Sequence, residues 1–293
     1  IGLNNHNFLC MIALPMPELP EVETVRRQLI KKIAGKTIKR VEVFHAKSVD
    51  HDQTIEDRLI GKTIKDIDRI GKLMIFSFTK ESNLFLLAHL KMTGQFFFVE
   101  KGEISGGGHS INDTDVSEFP GRHTRVVFYF EGGSALYFND MRLFGYTKLA
   151  DKEMLDKAKS GFGPEPIDED FDVSEFFHKL KRRNTPIKAV LLDQSFVAGL
   201  GNIYVDEALW RAKVRPEKKA SRISKSEAAA IAAASRAVML ESIEVGGTTF
   251  QHFKDVEGDE GNFTNYLKVF GKQGGECERC GSTIKKIRLV GRG

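Results

Sequence analysis

The sequence predicts an α+β protein: an N-terminal helix, then a β-sandwich or barrel, then a helical half ending in a cysteine-bearing hairpin. Three observations carry this. Apolar residues at near-helical spacing follow Pro20. Seven short β-rich runs crowd between residues 37 and 138. From Ala150 the texture turns helical, with an alanine-rich stretch over 224–243.

Taken in order, Val22, Val25, Leu29 and Ile33 form the apolar stripe of the first helix, with Glu21 and Glu23 in its first turn, where carboxylates complement the positive end of the helix dipole. The β-rich runs fall at 37–44, 63–70, 73–78, 84–90, 95–99, 126–130 and 135–138. Gly-Lys-Thr-Ile-Lys occurs at both Gly35 and Gly61, which reads as two similar turns into strands and not as a repeat architecture. The polar stretch 101–120, with Gly106, Gly107 and Gly108, reads as a loop inserted between strands. Helices are expected over 172–183, 187–192, 203–212 and 224–243. The glycines and prolines of Gly161-Phe162-Gly163-Pro164-Glu165-Pro166 mark a domain boundary. The expected organisation is therefore a leader over 1–15, a β-sandwich domain over 16–150, a helical domain over 151–268 and an incomplete hairpin over 269–293, with a cleft between the two domains.

Composition bounds the function. At 293 residues the chain can build two ordinary cores. Its 41% hydrophobic and 29% charged content suit a soluble globular protein, and no apolar run approaches the roughly 20 residues of a membrane span. The leader's apolar patch over 8–14 lacks a basic start, so it is a poor secretory signal and reads as upstream frame. Three cysteines make no disulfide framework, which points to a reducing cytoplasm. The net charge of +4 says little, but its distribution says more: twelve Lys or Arg lie between Lys179 and Lys225, whereas nine acids lie between Asp151 and Glu175. Such a basic stretch can bind phosphates, or it can be a solvated helical face.

Several strings could carry chemistry. In Met16-Pro17-Glu18-Leu19-Pro20-Glu21-Val22-Glu23, initiation at Met16 and its removal would leave Pro17 as a secondary amine, a nucleophile no internal residue offers. With Met16 still attached, the proline nitrogen is delocalised into an amide and cannot attack, so processing belongs to the hypothesis. Gly199-Leu200-Gly201-Asn202 reads as a tight connection into a helix whose exposed N–H groups suit a phosphate. No strand precedes it and a third glycine is missing, so it is no dinucleotide fingerprint. Lys72 follows a glycine turn; His89-Leu90-Lys91-Met92-Thr93-Gly94 and Asn139-Asp140-Met141-Arg142-Leu143-Phe144-Gly145 follow β-rich runs. Taken singly, Lys72 is surface decoration, His89 a structural histidine, Met92 a core residue and Asn202 a helix cap. Cys277-Glu278-Arg279-Cys280 has the spacing of a zinc-ribbon knuckle, whose second pair should follow after roughly 15 to 20 residues. Only thirteen residues follow Cys280, none of them cysteine.

Together, in this order over 16–293, these strings resemble the bacterial formamidopyrimidine-DNA glycosylases. The resemblance implies damaged double-stranded DNA as partner, a monomer without membrane attachment, and a base-excision-repair enzyme that is both glycosylase and abasic-site lyase. It implies that Pro17 attacks the sugar and that Glu18 protonates the deoxyribose ring oxygen, with Glu21 ordering the site. Lys72 would bind a phosphate beside the lesion and assist proton transfer, and His89 would bind a phosphate. Met92, Arg142 and Phe144 would fill the gap left by an extruded base, a trio that favours oxidised purines over the pyrimidines preferred by endonuclease VIII-like relatives. Asn202, Lys188 and Arg183 would contact DNA within a helix-two-turns-helix element.

The resemblance further implies one structural zinc (Zn2+) per chain, for which Cys277 and Cys280 supply two of four ligands. Arg292, on the same hairpin, would contact phosphates flanking the lesion. The C-terminus reads as truncated within that hairpin, which is then expected to be loosely held. Phe270 stands where the family commonly has tyrosine. A damage-binding protein without catalysis is the rival of another class, should Pro17 stay blocked.

Overall fold

The computed structural model describes residues 16–109, 119–248, 253–254, 262–289 and 291, with backbone alone for 106–109 and 253–254. Helix α1 (Leu19–Ile33) begins where expected, with Pro20 in its first turn, where proline's missing N–H costs nothing, and Lys31 and Lys32 in its last. Its stripe of Val22, Val25, Leu29 and Ile33 enters one core, while Leu19, one turn earlier, enters another. A single helix thus plugs both halves of the molecule.

The first core lies between two antiparallel sheets. Among the described residues, β1 (Ile38–Val43), β5 (Gly94–Glu100), β6 (Glu103–His109), β7 (Thr124–Phe130), β8 (Ala135–Asp140) and β10 (Phe253–Lys254) form one sheet in the order β1-β7-β8-β5-β6-β10. The other is β2 (Ile64–Ile70), β3 (Leu73–Phe78), β4 (Phe85–His89) and β9 (Tyr146–Ala150), in the order β2-β3-β4-β9. Successive side chains alternate between faces. In β8, Leu136 and Phe138 therefore join the inter-sheet core, while Ala135 and Tyr137 pack with Phe97, Val127 and Phe119 on the outer face. A short helix, α2 (Ile55–Leu59), buries Ile55 and Leu59 into the same core.

All seven expected strand runs are strands. The expected loop over 101–120 is corrected in its first part: 103–109 is β6, paired with β5 from Glu100 opposite Glu103 to Gln95 opposite Gly108. Three consecutive glycines have poor strand propensity, and only the neighbouring strand makes this segment extended. The remainder, 110–118, lies outside the described residues, as does the 1–15 leader. The fourth strand of the smaller sheet, β9, was not among the expected runs and exists through its register with β4, His89 opposite Tyr146.

The helical half contains α3 (Lys152–Ser160), α4 (Val173–Lys181), α5 (Ile187–Leu191), α6 (Asn202–Arg211) and α7 (Lys225–Glu244). Asp151 and Asp172 cap α3 and α4 by accepting from backbone N–H groups, and Ser224 with Glu227 forms a capping box at α7. The second core gathers around fully buried Tyr204.

Buried charge joins the halves. The Arg69 guanidinium donates to Glu165 at 2.7 and 2.9 Å and to Glu23 of α1 at 3.0 Å. Glu165 also accepts from the Gly71 N–H at 2.5 Å. Burial opposes ionisation of Glu23, but Arg26, Arg27 and Arg69 together hold its carboxyl at about 2.

Candidate functional site

Pro17 is buried, and the amide that follows it is fixed because the Glu18 N–H donates to Glu21 Oε2 at 2.9 Å. The Glu18 side chain turns the other way, to the start of α6, where its carboxylate accepts from Ile203 N–H at 2.9 Å and Tyr204 N–H at 3.4 Å. The expected phosphate seat at Gly199-Leu200-Gly201-Asn202 is thereby corrected. The N–H groups of Ile203 and Tyr204 in the first turn of α6 face a carboxylate of the protein itself, which satisfies two of the orphan donors of a helix N-terminus.

The two glycines have a steric reason. An added Cβ on Gly201 would stand 2.2 Å from Glu18 Cδ, and one on Gly199 would stand 2.3 Å from Leu19 Cδ1. Gly199 also holds φ +91°, and its carbonyl accepts from Leu19 N–H at 3.1 Å. The turn is a socket for the chain's Glu18 and Leu19.

Burial raises the Glu18 carboxyl to about 7, against the opposing charge of Lys72. Burial also raises Glu21, whose carboxylate accepts from the Tyr204 hydroxyl, from Thr248 N–H at 2.8 Å and from Glu18 N–H. The Tyr204 hydroxyl shares 2.7 Å contacts with the hydroxyls of Ser242 and Thr248, so the buried cluster is closed.

Lys72, 6% exposed, sits in the β2–β3 turn and acts electrostatically on both Glu18 and His89. It is no surface decoration. Burial, followed by the charges of Lys91 and Lys72, lowers His89 to about 3, so the ring is neutral. Its Nδ1 accepts from Lys91 N–H at 3.0 Å, which leaves the proton on Nε2 as a donor. Pro17, Glu18, Glu21, Lys72 and His89 thus form one constellation.

Met92 and Arg142 meet through Nη1 and Sδ at 3.2 Å on adjacent loops, and Phe144 beside them is 52% exposed. Met92 is therefore not a core residue. Lys188 is buried and paired with Asp206 of α6 at 2.9 Å. Asn202 opens α6. Arg183 is half-exposed, 3.8 Å from Asp193 and over the ring of Phe196.

The C-terminal hairpin is seated, contrary to the expectation that it is loosely held. Glu207 of α6, fully buried, accepts from the N–H groups of Lys268, Val269 and Phe270 at 2.9, 2.9 and 2.8 Å. Trp210 stacks under Arg279 at 4.1 Å and donates to Cys277 Sγ at 3.5 Å, a contact that helps lower that thiol to about 7. Tetrahedral zinc wants four ligands. Among the described residues no third His, Cys, Asp or Glu joins Cys277 and Cys280, so these residues alone do not fit the ion. Arg292 lies outside the described residues.

Sequence reasoning missed Glu165, Tyr204 and Glu207. Glu165 sits inside the domain-boundary punctuation, a charged residue among glycines and prolines, which was its one visible sign. Among the described residues no helix is long and apolar enough to cross a membrane.

Comparison with known proteins agrees with this geometry. The formamidopyrimidine-DNA glycosylase N-terminal domain matches residues 16–147, and the formamidopyrimidine-DNA glycosylase H2TH domain matches 162–254. The formamidopyrimidine-DNA glycosylase of Streptococcus pneumoniae is 39% identical over 282 residues, covering 95% of this chain and 96% of the relative. That of Oceanobacillus iheyensis is 36% identical over 283 residues, covering 95% of each. Lactococcus lactis Fpg in complex with DNA containing N7-benzyl-Fapy-dG superposes with a TM-score of 0.82 at 35% identity, covering 94% of this chain and 96% of that one. The same protein bound to abasic-site DNA gives 0.81. The chain belongs to the formamidopyrimidine-DNA glycosylase family.

Proposed function

We propose that the protein, once Pro17 is its amino terminus, is a base-excision-repair enzyme that excises oxidised purines, formamidopyrimidine and 8-oxoguanine, from duplex DNA and then cleaves the strand. In this reading 16–150 is the catalytic domain, 151–268 the DNA-binding helical domain and 269–293 a DNA-contacting hairpin. The observation that carries it is the socket at Gly201, which holds Glu18, the residue next to Pro17, within reach of the Lys72 charge that also acts on His89.

An α-amino group titrates near 7.7 to 8.0, so a useful fraction of Pro17 is neutral at pH 7 and attacks the sugar C1′. The C1′–base bond breaks, with the proton lost from the Pro17 nitrogen going to the departing base, and the C1′–ring-oxygen bond then opens to leave an iminium. Glu18, held protonated by burial up to about 7, gives its proton to the deoxyribose ring oxygen. The iminium acidifies the adjacent carbon, so the 3′ and then the 5′ phosphate leave by successive eliminations. Lys72 assists proton transfer and binds a phosphate; His89 donates Nε2–H to another. Met92, Arg142 and Phe144 occupy the gap, with the arginine bonding the orphaned base. Asn202 contacts the DNA backbone, Lys188 lies near the damaged nucleotide, Arg183 makes a further basic contact with DNA, Glu21 orders the site, and Arg292 contacts flanking phosphates.

Borohydride trapping tests the chemistry, on protein whose intact mass begins at Pro17. A permanent crosslink to lesion-bearing DNA is expected, because only an iminium can be reduced to one; no crosslink would leave a damage-binding protein. Faster excision of thymine glycol than of 8-oxoguanine or formamidopyrimidine would overturn the substrate class.

A further inference from the structure

The two loops that carry Met92, Arg142 and Phe144 converge on one buried carboxylate. Asp140 ends β8 opposite Gly94, the first residue of β5, so both loops spring from the same rung of the sheet. Its side chain is fully buried and accepts from the Thr93 hydroxyl, from Arg142 N–H at 3.1 Å and from Gly145 N–H at 2.7 Å. Arg142 N–H also reaches Thr93 Oγ1 at 3.0 Å, which closes a triangle between the loops.

The backbone around this triangle has little freedom. Leu143 is held at φ +56°, a conformation non-glycine residues seldom adopt. An added Cβ on Gly145 would lie 3.0 Å from the His89 carbonyl, and one on Gly94 would lie 2.4 Å from the Leu90 carbonyl. Above the triangle the side chains are presented outward, Phe144 at 52% and Met141 at 48% exposure, with Arg142 touching Met92.

We infer that Asp140 is the positioning residue of the wedge: it locks the 141–145 loop to the 90–94 turn, so that Met92, Arg142 and Phe144 enter the duplex as one rigid unit. This rests on the glycosylase reading above. Asp140 lies beneath the loops and acts through Thr93, Arg142 and Gly145, not by touching DNA. Base extrusion already costs stacking and pairing energy, and ordering two loops at the same moment would add to it.

The test uses Asp140→Asn, which sets amide N–H groups against backbone N–H groups, and Thr93→Val, which removes only the bridging hydroxyl. Thr93→Ser keeps the hydroxyl. One readout is the fluorescence rise of 2-aminopurine placed opposite an abasic analogue in a duplex, at saturating protein; it reports wedge insertion without chemistry. The other compares excision from lesion-bearing duplex with borohydride trapping on single-stranded abasic DNA, where there is no stack to open.

Asp140→Asn and Thr93→Val are expected to lose the fluorescence rise and to excise from duplex about tenfold or more slowly, with trapping on the single strand within about twofold of the parent. Thr93→Ser behaves as the parent. The inference is overturned if Asp140→Asn and Thr93→Val both keep the rise, or if single-strand trapping falls in step with duplex excision. Should Asp140→Asn fail to fold, the Thr93 pair decides by the same criteria. A parent protein that gives the rise without trapping sinks the glycosylase reading, and the fluorescence arm still judges the wedge.

Discussion

The carboxylate of Glu18 closes over Gly201 with no room for a methyl group: a Cβ there would stand 2.2 Å from Glu18 Cδ and 2.4 Å from Oε1. The relationship fixes where the residue next to Pro17 can point. It also makes the two glycines around Leu200 unequal.

Gly201 has an ordinary extended backbone, φ −132°, so Gly201→Ala meets only the Glu18 side chain and displaces it. Excision should fall by at least about tenfold, while stability drops by about 1–3 kcal/mol for the donors left unsatisfied at α6. Gly199→Ala meets Leu19 Cβ and requires a positive φ, so it should cost more stability and unseat α1 from the second core. Denaturant unfolding and single-turnover excision on both variants check the contrast. Equal effects of the two substitutions would contradict it.

The Glu18 carboxyl, ordinarily near 4.5, is raised to about 7 by burial. A folded-state value above the unfolded one means that this group's stabilisation is complete below pH 4.5 and is lost as pH rises through about 7. The same deprotonation removes the proton donor, whereas neutral Pro17 increases towards about pH 8. Excision should therefore peak between the two, and its descending limb should vanish in Glu18→Gln, whose slow residual reaction rises with pH alone. A pH–rate profile of both proteins decides.

Glu165 and Arg69 are both buried and joined by two hydrogen bonds, with Glu23 on the third side. Removing one partner of such a pair strands the other charge, so Glu165→Gln should lose about 3–5 kcal/mol in urea unfolding. It also loosens the Gly71 turn that carries Lys72. A loss below about 1 kcal/mol would mean that water replaces the carboxylate.

Glu207 gathers three successive backbone N–H groups at 268–270, and Trp210, the chain's single tryptophan, reports on the hairpin through Arg279 and Cys277. Glu207→Ala should release the hairpin, seen as a shift of tryptophan emission towards that of solvent-exposed indole, with weaker binding to DNA. An unchanged spectrum would show that Trp210 holds the hairpin unaided.

Much of the element content was readable from sequence where an element carries its own period and punctuation, whereas α2, α3 and β9 were not among the expected elements. Asp151, Asp172 and Ser224 cap helices locally, and the stripe of α1 repeats at helical spacing. What escaped was non-local: β6 is glycine-rich and becomes a strand only beside β5.

The sequence by itself determined α1, the seven expected strand runs, the helices α4 to α7 and the order of the strings that begin at Pro17. Only the tertiary structure decided what surrounds them. Glu18 meets Ile203 across 185 positions of chain, Arg69 meets Glu165 across 96, and Asp140 gathers two loops that no spacing rule connects. Local propensity acts over a few residues, whereas burial and the need to satisfy every buried polar group act over whatever the fold brings into contact. The Gly199-Leu200-Gly201 turn, read as a phosphate seat, is for that reason a socket for the chain's own Glu18 and Leu19.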